Sequence, residues 1–252
     1  MTKKNNEIMK YYGQGGQDSV IKQFFDKKNI NNGFFLDVGS LDGLRFSNTW
    51  LLEESGWSGI CVEAHPSYFN LLQNNRPNSI CISVAAGDDD KENVDISLNF
   101  RGSLTTLNFK LEEHFKKDYS EWYGNRNRKS VNDFLNGTHK VNMNKLDTII
   151  EKNLDKDKKI DLISIDIDGS EELAFKGLSL LKWKPTLLVL EWSVMGREYM
   201  DIFAKNNGYI RSIELDSDVF YVLTSEDDKL LQRLKPIGEF INLPHPADTK
   251  FL

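Results

Sequence analysis

Phe35-Leu36-Asp37-Val38-Gly39-Ser40-Leu41-Asp42-Gly43 reads as an apolar strand running into an acidic, glycine-bearing turn. Gly39 and Gly43 permit backbone angles that a side chain forbids. They also let a ligand approach the main chain where a strand turns toward a helix. Charge then separates the ligands that such a turn can take. A dinucleotide sets an anionic pyrophosphate against a helix N-terminus, where carboxylates at Asp37 and Asp42 repel it. The dinucleotide fingerprint also wants a glycine where Asp37 stands.

S-adenosylmethionine satisfies both objections. It carries a sulfonium and an α-ammonium group, which carboxylates attract in a partly desolvated cleft. Glu63 ends the next apolar run, Gly59-Ile60-Cys61-Val62-Glu63, at roughly the spacing, about 20 residues, from which an acid accepts both ribose hydroxyls of an adenosine. That feature fits NAD equally, so an NAD-dependent sugar-nucleotide oxidoreductase stands as the enzymatic alternative.

The 252-residue chain is expected to form one α/β domain, residues 1–252. Cys61 and Cys81 lie in apolar runs and read as buried reduced thiols rather than a disulfide framework or a metal site. No signal segment opens the chain, and the apolar run Thr186-Leu187-Leu188-Val189-Leu190 is too short to span a bilayer, so a cytoplasmic protein without membrane insertion is expected. With 32 Lys and Arg scattered among 38 Asp and Glu, net charge −6, a nucleic-acid partner is disfavoured. The basic run Arg126-Asn127-Arg128-Lys129 reads as solvated loop charge, with a sugar-nucleotide phosphate as its functional alternative.

Strand-like and helix-like segments alternate along the chain. Strands are predicted at Phe34 to Val38, Ile60 to Glu63, Ile80 to Val84, Leu162 to Ile167 and Leu187 to Glu191, which implies right-handed crossovers and a parallel sheet. Helices are predicted at Val20 to Phe25, Ser47 to Glu54, Tyr68 to Asn74, Leu146 to Asn153 and Glu171 to Leu181. Two further strands, Tyr209 to Glu214 and Val219 to Thr224, are expected as a hairpin at the sheet edge. From about 89 to 140 the pattern loosens into an insertion of the kind that forms lids, and the acceptor pocket is expected beside it.

These segments resemble the FkbM-type family of S-adenosylmethionine-dependent methyltransferases. The likeness rests on Gly15-Gly16-Gln17-Asp18, the Asp37 to Gly43 turn, Ser47-Asn48-Thr49, Gly56-Trp57-Ser58-Gly59-Ile60-Cys61-Val62-Glu63 with Pro66, and Ile163-Ser164-Ile165-Asp166-Ile167-Asp168-Gly169-Ser170-Glu171. The resemblance implies a Rossmann-like seven-strand sheet with an antiparallel last strand, and O-methylation, commonly of a sugar hydroxyl. It sets Asp37 and Gly39, with Ser40 in the same turn, against the methionine part of the cofactor, Glu63 on the ribose and Asp88 near the adenine amino group. Gln17, Asp18 and Asn48 help close the pocket. The family usually carries Glu where Asp168 stands.

The acceptor chemistry is expected at the carboxyl ends of the later strands, where Asp166, Asp168 and Glu191 fall. Asp166 is the leading candidate both for cofactor contact and for general base, with Glu191 or His139 as alternates. Period-two geometry would set Asp166 and Asp168 on one face, permitting Mg²⁺ to be shared with Glu191 as the alternative to metal-free catalysis, which is preferred. Trp122 and Tyr123 are candidates for stacking on a sugar. The reading is an O-methyltransferase that releases S-adenosylhomocysteine and acts on a sugar nucleotide or a capsular or lipopolysaccharide glycan unit. A non-catalytic S-adenosylmethionine-binding protein is the alternative from another class.

Overall fold

The computed structural model describes residues 8–98, 105–106 and 137–244. In chain order the strands are β1 (Lys10–Tyr11), β2 (Phe34–Val38), β3 (Ser58–Val62), β4 (Ile80–Ile82), β5 (Ala85–Ala86), β6 (Lys91–Leu98), β7 (Thr105–Thr106), β8 (Gly137–Asn144), β9 (Leu162–Ile165), β10 (Leu187–Glu191), β11 (Ile210–Leu215), β12 (Asp218–Val222) and β13 (Glu239–Phe240). The helices are α1 (Gln17–Lys27), α2 (Trp50–Glu54), α3 (Pro66–Asn75), α4 (Leu146–Asn153), α5 (Glu171–Lys176), α6 (Leu180–Trp183), α7 (Arg197–Asn206) and α8 (Ser225–Leu231).

The main sheet has seven strands in the order β11-β12-β10-β9-β2-β3-β4. β10, β9, β2, β3 and β4 run parallel, while β12 runs antiparallel to both β10 and β11. The order reverses between β2 and β9, the switch point at which open α/β sheets bind ligands beyond their strand carboxyl ends. The expected α/β sheet with an antiparallel last strand is therefore present, and the predicted hairpin is its edge.

Strand alternation sorts the core into two layers. Leu36, Val38, Ile163, Ile165, Leu188, Leu190, Val219 and Tyr221 join α4, α5 and α7 on one face. Phe35, Cys61, Leu162, Leu187, Val189, Phe220 and Val222 join α1, α2, α3 and α8 on the other. Each parallel strand is thus apolar on both faces, as a sheet covered on both sides requires.

Local chemistry explains several element ends. Pro66 opens α3, where its missing N–H costs nothing, and the His65 side chain accepts from Ser67 N. Thr224 caps α8 by accepting from Asp227 N, with Glu226, Asp227 and Asp228 in the first turn. The predicted helix over Glu171 to Leu181 is instead two short helices. The cause is tertiary: at Gly177 the chain packs so closely on the Gly87 carbonyl that a Cβ would overlap it, and Asp147 N bonds the Gly177 carbonyl.

The segment expected as an irregular insertion is framed by long strands. β6 and β8 pair antiparallel, and together with β5 and β7 they form a second, four-stranded sheet. Its middle, including His114, Trp122, Tyr123 and Arg126 to Lys129, lies outside the described residues, as does His245. Helix α7 was not anticipated. It buries Met200 and Ala204, with Tyr199 and Phe203 packed on the same layer. The stretch after Leu223, which carried no expectation, supplies α8 and β13, the latter pairing in parallel with β1 near the start of the chain.

Candidate active site

The Asp37 to Gly43 turn leaves the end of β2 and is tied to its neighbour by Gly39 N and Ser40 N, both donating to the Val62 carbonyl at 2.9 and 3.1 Å. Ser40 Oγ donates to the Asp37 carbonyl at 2.9 Å. Gly39 has a φ of 88°. A Cβ there would overlap the Asp166 carbonyl oxygen, so the turn touches the β9 exit loop through bare backbone.

The two acids that argued for a cationic ligand are engaged with the protein. Asp37 Oδ2 accepts from Thr49 Oγ1 at 2.5 Å and lies 4.0 Å from Arg76. Burial pushes Asp37 up, and the Arg76 guanidinium pulls it partly back. Asp42 Oδ1 accepts from Leu44 N and Arg45 N, stapling its own turn. Arg76 is buried and donates to Glu53, to the Gly43 carbonyl, to Ser47 and to Thr49.

Glu63 is buried one residue past β3. Its two oxygens accept from Leu41 N at 2.8 Å and His65 N at 2.6 Å, which fixes the carboxylate at the turn. Burial raises its pKa to about 8. Each oxygen retains a lone pair for a further donor. Asp88, after β5, is exposed and has an electrostatic contact with Lys176.

Asp18 does not face outward as a ligand would need. It accepts from Tyr12 N, Gly13 N and Ser19 N, holding the segment before α1, and burial raises it to about 6. Gln17 takes Gly15 N on Oε1 and donates Nε2 to Asp218 Oδ2 at 2.8 Å. Asn48 Nδ2 donates to Ser164 Oγ at 3.2 Å and faces Asp218 Oδ2 at 3.5 Å.

Sequence reasoning missed Asp218 as a site residue, having placed it in a polar turn. It is the first residue of β12 and the register partner of Glu191. By alternation Asp37, Ser164, Glu191 and Asp218 crown the core layer of Phe35, Leu162, Val189 and Phe220, on a single face of the sheet. The alternation of Asp218 with Phe220 and Val222 was the available signal. Within this layer Asn48 Oδ1, Glu191 Oε2 and Asp218 Oδ1 are buried with no hydrogen-bond partner. Burial, then repulsion from Glu191, raises Asp218 to about 7.

Asp166 follows β9, and its N–H donates to the Val38 carbonyl at 2.9 Å. Asp166 is exposed. Desolvation by the neighbouring protein, then repulsion from Glu191, Asp168, Asp218 and Glu171, holds its carboxyl well above the usual range. The expected period-two placement of Asp166 and Asp168 fails because the strand ends at Ile165 and Asp168 sits in the left-handed region, φ 48°. Glu171, expected to cap its own helix, reaches back to Ile167 N and Gly169 N and clamps this loop.

Glu191 Oε1 accepts from Ser193 N, and the residue is buried. His139 is exposed on β8, opposite Ile96, and its electrostatic contact is with buried His65. Among the described residues no three His, Cys, Asp or Glu side chains are grouped to hold a metal ion, and no helix is long and apolar enough to cross a membrane.

The switch-point turn, the acid after the second parallel strand and the acid after the fourth lie where an adenosyl cofactor and an acceptor would meet. The sequence model described as "Methyltransferase FkbM domain" matches residues 37–211, from the first of these acids to β11. The chain belongs to the FkbM methyltransferase family. S-adenosylmethionine is the methyl donor that membership implies, and it decides between this cofactor and NAD. The fixed Glu63 carboxylate, with a lone pair left on each oxygen, fits the ribose of such a donor. The chain is also similar to a solved structure, a TehB-like SAM-dependent methyltransferase from Corynebacterium glutamicum, at 9% identity and TM-score 0.40, covering 82% of this chain and 86% of that one. No curated protein matches the chain.

Proposed function

We propose that this methyltransferase transfers a methyl group to the oxygen of a carbohydrate hydroxyl, on a sugar nucleotide or a surface-glycan unit, in the cytoplasm. The observation that supports an oxygen acceptor is Asp166, an exposed acid at the carboxyl end of β9 whose pKa is raised and whose backbone carbonyl packs on Gly39. A raised pKa suits a general base, since a sugar hydroxyl is too weakly acidic to ionise unaided. When bound, S-adenosylmethionine supplies an electrophilic methyl group. Glu63 accepts ribose hydroxyls. Asp166 would take the acceptor's hydroxyl proton onto a carboxylate oxygen. Glu191 shapes the charge around Asp166, because its own carboxylate is buried.

Incubating a panel of sugar nucleotides with S-adenosylmethionine, read as a mass gain of one methyl group, tests the acceptor class. Asp166→Asn is expected to keep adenosylhomocysteine binding while losing transfer by about 10²–10⁴-fold. Full transfer in that variant would remove Asp166 from the chemistry. A protein that binds adenosylhomocysteine but methylates no sugar would sink the carbohydrate assignment.

A further inference from the structure

The chain has two cysteines, and the fold sets them side by side although they are separated in sequence. Cys61 on β3 and Cys81 on β4 are register partners on adjacent parallel strands. Both belong to the layer that faces α1, α2 and α3, Cys61 in its core and Cys81 packed against it. Neighbouring strands lie about 4.7–4.9 Å apart, inside the range of about 4.4–6.8 Å that disulfide Cα atoms span. Their Cβ atoms stand in parallel rather than apart, so pairing requires rotation at the side chains and no exchange of strands.

The two thiols differ in a way that suits sequential chemistry. Cys61 is fully buried, while Cys81 is partly exposed on the edge strand. Cys81 faces the carbonyls of Leu72, Arg76 and Ser79 at 3.8–3.9 Å. Its pKa is lowered, chiefly by the neighbouring Cys61 thiol and against the effect of its partial burial, with the Arg76 guanidinium adding to the lowering; burial raises that of Cys61. The accessible sulfur is therefore the better nucleophile toward an oxidant, and the buried one is placed to resolve the product.

We propose that Cys61 and Cys81 form a reversible redox site that a peroxide converts to an intramolecular disulfide across β3 and β4. The Cys81 thiolate attacks one peroxide oxygen, forming a sulfenic acid and releasing hydroxide, which takes up a proton to give water. The Cys61 sulfur then attacks the sulfenic sulfur, an S–S bond replaces the S–OH bond, and the Cys61 proton leaves in a second water. Two thiols and one hydrogen peroxide thus give one disulfide and two waters. The bond pins the three-residue edge strand β4 beside the hydrogen bond from Glu63 N to the Ile82 carbonyl. A thiol reductant restores the pair.

The test uses the full chain, hydrogen peroxide and dithiothreitol, with no cofactor or acceptor, so it is independent of the assigned methyl transfer. Stoichiometric peroxide is expected to remove two hydrogens from the intact mass, to block both thiols from alkylation and to yield one Cys61–Cys81 cross-linked peptide. Dithiothreitol is expected to reverse all three. In Cys61→Ser a trappable sulfenic acid should accumulate at Cys81, and in Cys81→Ser thiol loss should slow by at least about tenfold. Stepwise over-oxidation of Cys81 in the wild-type chain with Cys61 still alkylatable would overturn the proposal. Faster reaction at Cys61 than at Cys81 would overturn the proposed order of attack.

Discussion

Two polar clusters crown the same face of the sheet and differ in one respect. Around Arg76, one buried guanidinium serves Glu53 and Asp37, and its remaining donors go to Thr49, Ser47 and the Gly43 carbonyl. Around Asp218, two amides from Gln17 and Asn48 face an acid layer that, among the described residues, contains no cation, and three acceptor atoms there have no partner. A cluster whose buried acceptors find donors is scaffold. One whose acceptors exceed its donors is costly to the fold, and such costs concentrate at functional sites. The acidity legible at the turn thus belongs to the scaffold side, while the uncompensated acids are Glu63, Asp166, Glu191 and Asp218.

The largest expected effect breaks the balanced side. Arg76→Met leaves buried carboxylates without a partner and should cost about 3–5 kcal/mol in urea denaturation. A loss below about 1 kcal/mol would mean that the two clusters do not differ as described. On the uncompensated side, Glu63→Gln should weaken adenosylhomocysteine binding by about 10- to 100-fold in calorimetry, through loss of charge-assisted hydrogen bonds.

The acid layer also predicts an unusual pH dependence. Glu63 near 8, Glu171 and Asp218 near 7 and Asp18 near 6 all stand above their ordinary values of 4.5 or 3.8. In that window the native state binds more protons than the unfolded chain, so stability falls as pH rises. The cofactor-free melting temperature should therefore decrease from about pH 5 to pH 8, and a rise across that range would contradict the raised values. The smallest effect is expected for Asp218→Asn, which relieves repulsion and keeps an acceptor for Gln17. Its stability at pH 8 should lie within about 1 kcal/mol of wild type or above it, and a loss matching Arg76→Met would make Asp218 scaffold as well.

Much of the fold was legible because strands such as Phe34 to Val38 and Leu187 to Glu191 are continuous apolar runs bounded by polar turns, and their limits match the structure. Helix Leu146 to Asn153 was legible from apolar residues at helical spacing. The site was legible in part. Gly39 and Glu63 could be placed because a turn and its spacing are local features. Arg76 could not, since it comes from the end of α3 and meets Asp37 only across the layer. Asp218 pairs with Glu191 only once the hairpin has folded onto β10.

By itself the sequence determined the order of strands and helices, the family and the class of methyl donor, all of which reside in local patterns of apolar residues, glycines and acids. Only the tertiary structure decided which acids are neutralised and which are left uncompensated, and that Cys61 lies beside Cys81. The reason is physical: a carboxylate's charge state and a thiol's reactivity depend on burial and on neighbours a few ångströms away, and those neighbours arrive from remote parts of the chain.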